Sequence, residues 1–429
     1  MSKRSNHCLL VTIVTIALTG ACDDDTRDAT DQDHDHDHDH AAAAMVDAAD
    51  ADSGAHDHDH APAAPANLND AGANDADATA PAGYQWTLPD GFPEPVVPDD
   101  NPMSDTKVEL GRYLFYDKRL SDNQTYSCAS CHKQNLAFAD ERATGLGSTG
   151  EHHTRGAMSL ANVAYSPTLT WANPLVTDLE GQSVVPIFGD MPIELGMHSP
   201  DQVEERLRVV PHYQELFSRA FPDESEPITM LNVERGLGAF ERTLLSGNSA
   251  YDRYLNLGDE SALSESAKRG MVFVTSNEDH RFECNHCHGG FNFSDHVVWQ
   301  GLDPMSVTPL YHQTGLYDID GQGGYPAPNT GVYATTLDPA DMGQFKAPTL
   351  RNIALTAPYM HDGSIATLEE VLDHYAKGGR AHNATRTDPL LRPFTITDQE
   401  KADIIAFLQS LTDDEFIHDP RFSDPWPAE

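Results

Sequence analysis

Large apolar residues are spread unevenly along this 429-residue chain. A short apolar run from about Cys8 to Ala21 follows Lys3 and Arg4. It is too short for a mature bilayer-spanning helix, which takes about 20 residues, and reads as a secretion leader. From Asp23 to about Gly83 large apolar side chains nearly vanish, so this stretch cannot bury a core and is expected to be disordered. Beyond it, apolar positions recur at helical spacing. Ser199 stands as an N-cap before Pro200, with Val203, Leu207 and Val210 on one side. Thr367 with Glu370, and Thr397 with Glu400, have capping-box spacing. The first pair opens a helix from Leu368 to about Lys377, ended by Gly378-Gly379. The second opens one with Ile404, Ile405, Leu408 and Leu411 along one side. Strand-like alternation is scarce. The pattern predicts a mainly α protein with room for two domains, 84–225 and 226–429, meeting near the polar segment Pro222–Pro227.

Charge and composition refine the N-terminal part. Of the formal net charge of −41, residues 23–83 supply −16, from 17 Asp against the single Arg27. Such acidity argues against nucleic acid or an anionic membrane surface as partner. The leader ends in Leu18-Thr19-Gly20-Ala21-Cys22, which resembles a lipobox. Cleavage before Cys22 and acylation of its thiol are expected, giving an exported, periplasm-facing lipoprotein of a Gram-negative bacterium; an ordinary signal cleavage nearby is the alternative. Residues 1–22 are then the signal peptide and 23–83 a tether. Within the tether His34, His36, His38 and His40, then His56, His58 and His60, alternate with Asp. Such imidazoles can bind Cu(II), Ni(II) or Zn(II). A solvated spacer is the simpler reading.

The chemistry is concentrated in two Cys-x-x-Cys-His motifs 156 residues apart, Cys128-Ala-Ser-Cys131-His132 and Cys284-Asn-His-Cys287-His288. In each, two thiols can form thioethers to haem vinyl groups while His132 or His288 offers iron an imidazole. Four of the six cysteines lie in these motifs, and Cys8 and Cys22 belong to the leader, so no pair remains for a structural disulfide. Two covalent haem c groups are the expectation. Zinc or dithiol sites explain the duplication less well.

The stretch from Lys346-Ala-Pro-Thr-Leu-Arg-Asn to Pro358-Tyr-Met-His-Asp-Gly363, with both haem motifs, resembles the bacterial di-haem cytochrome c peroxidase/MauG superfamily, over roughly Asn101 to Leu411. The resemblance implies two cytochrome c-like helical domains, their haems facing each other, with Ca2+ between. It places Asn162, Thr356 and Pro358 at the calcium positions, where Asn and carbonyl oxygens suit a hard cation. It makes Tyr375 the second axial ligand of the C-terminal haem, where the peroxidases carry Met. Tyr there marks the MauG/MbnH-type enzymes. Phenolate favours Fe(III) and higher states, whereas thioether sulfur favours Fe(II). Met360 and His374 are the rival ligands. Over the open face of the N-terminal haem, the resemblance puts Glu194 as the acid–base group for H2O2, with Gln182 and Pro186 shaping the pocket and Glu180 as fallback. Trp171 corresponds to the Trp between the haems, either an electronic bridge or interface packing.

Two departures matter. The family Trp that passes holes to a protein substrate is replaced by Phe282, so the exit would lie elsewhere, with Trp299, Trp86 or a Tyr as candidates. The His that closes the peroxidatic haem in resting peroxidases has no clear counterpart, although His152 and His153 lie in the relevant loop. The resemblance thus implies an H2O2-dependent enzyme that forms a shared high-valent iron state and oxidises Trp or other aromatic residues of a partner protein, with a copper-associated protein as one candidate. The alternative is a peroxidase fed by a small cytochrome c or cupredoxin. A two-haem electron carrier is the non-enzymatic reading.

Overall fold

Helices carry the chain, and the described residues of the computed structural model (84–276, 281–303, 307, 309–380 and 387–427) contain isolated β-bridges but no strand. Cys22 and the histidines from His34 to His60 lie outside the described residues. Helix α1 (Asp105–Tyr116) starts where the Ser104 hydroxyl accepts the Lys107 N–H. Two short helices, α2 (Leu179–Gln182) and α3 (Val184–Phe188), precede α4 (Pro200–Arg208) and α5 (Pro211–Ala220). Ser199 caps α4, Pro200 occupies its first turn, and Val203 and Leu207 are buried as the spacing requires. Val210 leaves that helix and serves as the N-cap of α5. Next come α6 (Met230–Glu241), α7 (Ala250–Leu257) and α8 (Glu265–Thr275), then the single turns α9 (Cys284–Cys287) and α10 (Tyr333–Thr336). Both expected capping boxes form, at the starts of α11 (Leu368–Ala376) and α12 (Asp398–Ser410).

The same construction occurs twice. Helix α1 packs on α6, and α8 packs on α12. Both crossings are made by glycine: a Cβ on Gly111 would come 1.9 Å from the Gly236 carbonyl oxygen, and one on Gly270 1.9 Å from that of Asp403. Backbone therefore meets backbone at each crossing, and no flexible side chain can give way. Gly111→Ala and Gly270→Ala are each expected to lower stability by roughly 1–3 kcal/mol, the usual cost of overpacking. Urea unfolding measures this, and an unchanged midpoint would refute the closeness of the crossing.

Two buried asparagines repeat the pattern. Asn162 and Asn352 both adopt left-handed backbone, with φ of 60° and 61°, ahead of short 3-10 turns. The Asn162 N–H donates to the Leu244 carbonyl just beyond α6, and its Oδ1 accepts the Ser246 N–H at 2.8 Å. The Asn352 N–H donates to the Leu411 carbonyl just beyond α12, and its Oδ1 accepts the Asp413 N–H at 2.8 Å. The Ser246 hydroxyl ties the two clamps together, donating to Asp413 at 3.1 Å and accepting from the Asn352 side chain at 2.9 Å. Being buried, these groups need such partners.

Each pair of helices has its own core. Leu110, Leu114, Leu237 and Phe240 belong to the first, and Val274, Ile404, Phe407 and Leu411 to the second. The C-terminal segment returns to the first core through Phe416, Ile417 and Phe422. Gln134 fastens it by donating to the Phe416 and Asp419 carbonyls.

Candidate active site

The two Cys-x-x-Cys-His motifs fold as single helical turns, and all four cysteines are free of disulfides. His132 lies with Nδ1 2.8 Å from the Phe138 carbonyl oxygen, and His288 with Nδ1 3.1 Å from that of Phe293. A carbonyl only accepts, so Nδ1 carries the proton and Nε2 keeps its lone pair. Phe138 and Phe293 both have positive φ, 59° and 48°, which turns these carbonyls back onto the rings. For a residue with Cβ that costs roughly 1–2 kcal/mol. Burial also lowers the pKa of both imidazoles, keeping them neutral and able to ligate. Paired thiols next to an oriented neutral imidazole fit covalent haem at both motifs.

The structure brings Glu194 to the first motif, where its charge acts on both Cys128 and Cys131. The Leu195 N–H donates to the Pro186 carbonyl at 2.9 Å, which folds the Glu194 loop back onto α3. Burial raises the Glu194 pKa, although 36% of the side chain stays exposed. His153 Nε2 lies 3.6 Å from Glu194 Oε1. His153 Nδ1 accepts the Arg155 N–H at 3.1 Å, so its proton sits on Nε2, facing the carboxylate. His152 is turned to the Thr144 hydroxyl instead. Gln182 and Pro186 sit half-buried on α2 and α3. Glu180 is committed elsewhere: its two oxygens lie 3.0 and 2.9 Å from Arg242 Nη2, and Asn101 donates to one of them at 2.6 Å.

At the second motif Tyr375, on α11, is close enough for Cys284 and Cys287 to act on its phenol. Burial pushes that phenol well above its usual range. It therefore stays protonated unless a cation is supplied. His374 on the same helix is buried and holds the Thr314 carbonyl through Nε2 at 2.9 Å. Met360 lines a cavity of about 110 Å³ that also takes in Trp171, Asn162, Thr356 and Pro358. Trp171 is fixed there by its Nε1–H, which donates to the Gly156 carbonyl at 2.8 Å. Three cations border the same cavity. Arg142 is paired with Asp140 at 3.2 Å, Arg351 is neutralised by Asp252 at 2.8 Å, and burial pushes the Lys346 pKa down to about 7. The neutral oxygens of the three calcium candidates fit a hard cation, with the Asn162 oxygen keeping a second lone pair beyond the one Ser246 uses.

Phe282 is only 2% exposed and packs between Phe273 and Phe394, at ring distances of 5.2 Å to each. Trp299 lies against Phe291 and Trp86 against Tyr84.

Motif spacing gave no sign of a charged triad beside the second motif. His312 donates from Nε2 to Asp295 at 2.7 Å and from Nδ1 to Asp388 at 2.8 Å. Cys287, Asp295 and His312 come within 4.8 Å of one another, but with both ring nitrogens engaged His312 has no lone pair for a metal. Burial opposes the imidazolium, yet the two carboxylates outweigh it and raise the His312 pKa to about 12. A raised folded pKa stabilises fully below the unfolded value, near 6.5, and this contribution is lost as pH climbs toward about 12. His312→Gln is expected to cost about 3–5 kcal/mol, because it strands two largely but not fully buried carboxylates, 11% and 19% exposed. Urea unfolding at pH 6 and pH 10 should show the gap between wild type and variant narrowing at the higher pH. A gap that widens would contradict the ion-triad account.

A family model described as di-haem cytochrome c peroxidase matches residues 105–261. Cytochrome-c peroxidase IdrP1 of Pseudomonas sp. is 36% identical over 83% of this chain and 94% of its own. Methylamine utilization protein MauG of Methylorubrum extorquens is 36% identical over 78% of this chain and 88% of its own. Among solved structures, a MauG-like protein associated with microbial copper homeostasis is 46% identical, with a TM-score of 0.77, over 80% of this chain and all of that one. The chain belongs to the di-haem cytochrome c peroxidase/MauG family, and is a haem-dependent oxidoreductase of the peroxidase kind. Among the described residues no helix is long and apolar enough to cross a membrane.

Proposed function

We propose that this protein uses H2O2 to oxidise Trp or another aromatic side chain of a partner protein, in the manner of the MauG/MbnH-type enzymes. The observation that carries this reading is Tyr375 at the second motif, with His374 turned to a backbone carbonyl and Met360 lining the cavity. Two haem c groups, which Cys128, Cys131 and His132, and Cys284, Cys287 and His288, would hold, would supply the oxidising power for the reaction. Tyr375 would provide the hard anionic donor that favours oxidised iron. Glu194 takes a proton from the first oxygen of H2O2 and returns it to the leaving oxygen, with the His153 Nε2–H facing the carboxylate and Gln182 and Pro186 enclosing the pocket. Trp171 provides an oxidisable ring between the halves. H2O2 gains two electrons and two protons to become two waters, and the partner's aromatic side chain supplies both electrons and both protons.

A calcium ion held by Asn162, Thr356 and Pro358 belongs to the same reading, as do export, a lipid anchor at Cys22 and a two-domain division at about residue 225. The 46% identical structural relative is described as associated with copper homeostasis, which favours a copper-associated partner. The His-rich tether suits that setting. A second reading, a peroxidase fed by a small cytochrome c or cupredoxin, is favoured by the 36% identity to a cytochrome-c peroxidase.

Steady-state H2O2 consumption with reduced cytochrome c or cupredoxin as donor separates the two. The proposal expects little donor-supported turnover. Rapid turnover with Tyr375 in place would transfer the chain to the second reading.

A further inference from the structure

The two halves repeat one another closely, and at one buried position they differ in kind. The asparagine clamps pair Leu244 with Leu411 and Ser246 with Asp413, and the glycine crossings pair Gly236 with Asp403. Both give the same register, which sets Ala239-Phe240-Glu241 against Ala406-Phe407-Leu408. Leu408 is an apolar member of the second core, where Cys284 also packs. Its counterpart Glu241 is 6% exposed and lies close enough to Cys128 to act on its thiol as the strongest neighbouring charge. So the half that would meet peroxide buries a carboxyl beside its haem cysteine, and the other half buries a leucine.

Packing alone does not call for an acid here, since Leu serves at the equivalent place. Nor is the carboxyl held in an ion pair. Arg242, the next residue, is taken by Glu180 on α2. Helix α1 contributes Lys107, which is bonded to Asn101 and the Pro102 carbonyl. Helix α4 contributes Glu204 and Arg208, which pair with each other. Within α6 itself, Arg235 is paired with Asp100 and Glu234 faces Asp178 and Glu180. Across the motif, Glu194 is the other acid near Cys128. Among the described residues no hydrogen bond or salt bridge reaches the Glu241 carboxyl. Burying an unpaired carboxylate is costly, so the group stays protonated until something nearby favours its charge.

We infer that Glu241 is a redox-linked proton site of the first haem: it releases one proton to solvent when one electron is withdrawn from the iron held by His132, and regains it on reduction. The inference rests on haem being attached at the first motif, and not on the partner-protein reading. The physical reason is charge compensation. Oxidation adds one positive charge in a low-dielectric surrounding, and an adjacent carboxylate offsets it. Burial raises the Glu241 pKa to about 8, so the exchange falls in a range that is easily titrated. With Leu408 in the corresponding place, the second haem lacks this proton.

The test is a spectroelectrochemical titration of the full-length holoprotein between about pH 6 and pH 9, bracketing a strongly raised carboxyl. Chemical mediators supply and remove the electrons, and EPR distinguishes the two haems. Neither peroxide nor partner is involved, so failure of the proposed activity would leave this result standing. Absorbance per protein first establishes that two haems are attached. The midpoint of the first haem should fall as pH rises, by up to a tenfold change in its reduction equilibrium per pH unit where one proton accompanies one electron. Glu241→Gln should flatten that dependence. Glu241→Leu, which copies Leu408, should do the same and serves if the Gln variant does not assemble. A flat wild-type profile, or an unaltered slope in both variants, would overturn the inference.

Discussion

Replacing Glu194 by Gln is expected to slow the reaction of the diferric protein with H2O2 by on the order of 10²–10⁴-fold, the usual contribution of a positioned acid–base group. Gln keeps the size and hydrogen bonding of the side chain and removes only its ability to exchange a proton. Haem attachment and the resting spectrum should survive, because Glu194 is partly exposed and faces only the neutral His153 ring, at 3.6 Å, among the described residues. The pH dependence carries a sign as well. Burial raises the Glu194 pKa, and the carboxylate form is the one that accepts the first proton. Wild-type reactivity should therefore fall as pH drops through that raised value, and the Gln variant should lose this limb. Stopped-flow absorbance measures both. An unimpaired variant would move the acid–base role away from Glu194. Glu180 would be a poor replacement, since Arg242 and Asn101 already hold its carboxylate.

Tyr375→Met should produce the second large effect. Exchanging a phenolate for a thioether raises the potential of the second haem by on the order of hundreds of millivolts, within the range of about 0.8 V that axial ligands span. The variant should lose donor-free oxidation by peroxide and gain turnover supported by reduced cytochrome c. Folding should be little affected, because Leu368 and Leu372 carry the buried face of α11 and its Thr367–Glu370 capping box is untouched. Redox titration and donor-dependent kinetics would both report the change. If neither moved, Tyr375 would be a packing residue.

Much of this was legible in the sequence because it depends on short-range pattern. The paired cysteines with their histidines, the capping boxes at Thr367 and Thr397 and the Ser199-Pro200 start all rest on neighbours within five residues, and the structure forms each helix start as read. The expectation of a mainly helical family member is met as well. Other features depend on where distant segments meet. Phe138 and Phe293 matter through backbone carbonyls, which have no side-chain signature. His312 finds Asp295 and Asp388 only after folding, from 17 and 76 residues away. Neither His152 nor His153 could be preferred from their similar neighbours, but alternation along the loop sends one to Thr144 and the other to Glu194. Asn352 and Glu241 were readable in principle. Leu-Ala-Asn162 against Leu-Arg-Asn352, and Ala-Phe-Glu241 against Ala-Phe-Leu408, are traces of the internal repeat, and aligning the halves would have exposed both.

The measurement that bears most directly on the central claim is EPR and near-infrared spectroscopy of the purified diferric protein, before and after one equivalent of H2O2, with no electron donor. A protein-oxidising enzyme with Tyr375 at its second haem should lose both ferric EPR signals together and gain a near-infrared band, showing that two oxidising equivalents are shared across the pair. If peroxide leaves both signals in place until one haem has first been reduced, the protein is a donor-dependent peroxidase, and the role assigned to Tyr375 is wrong.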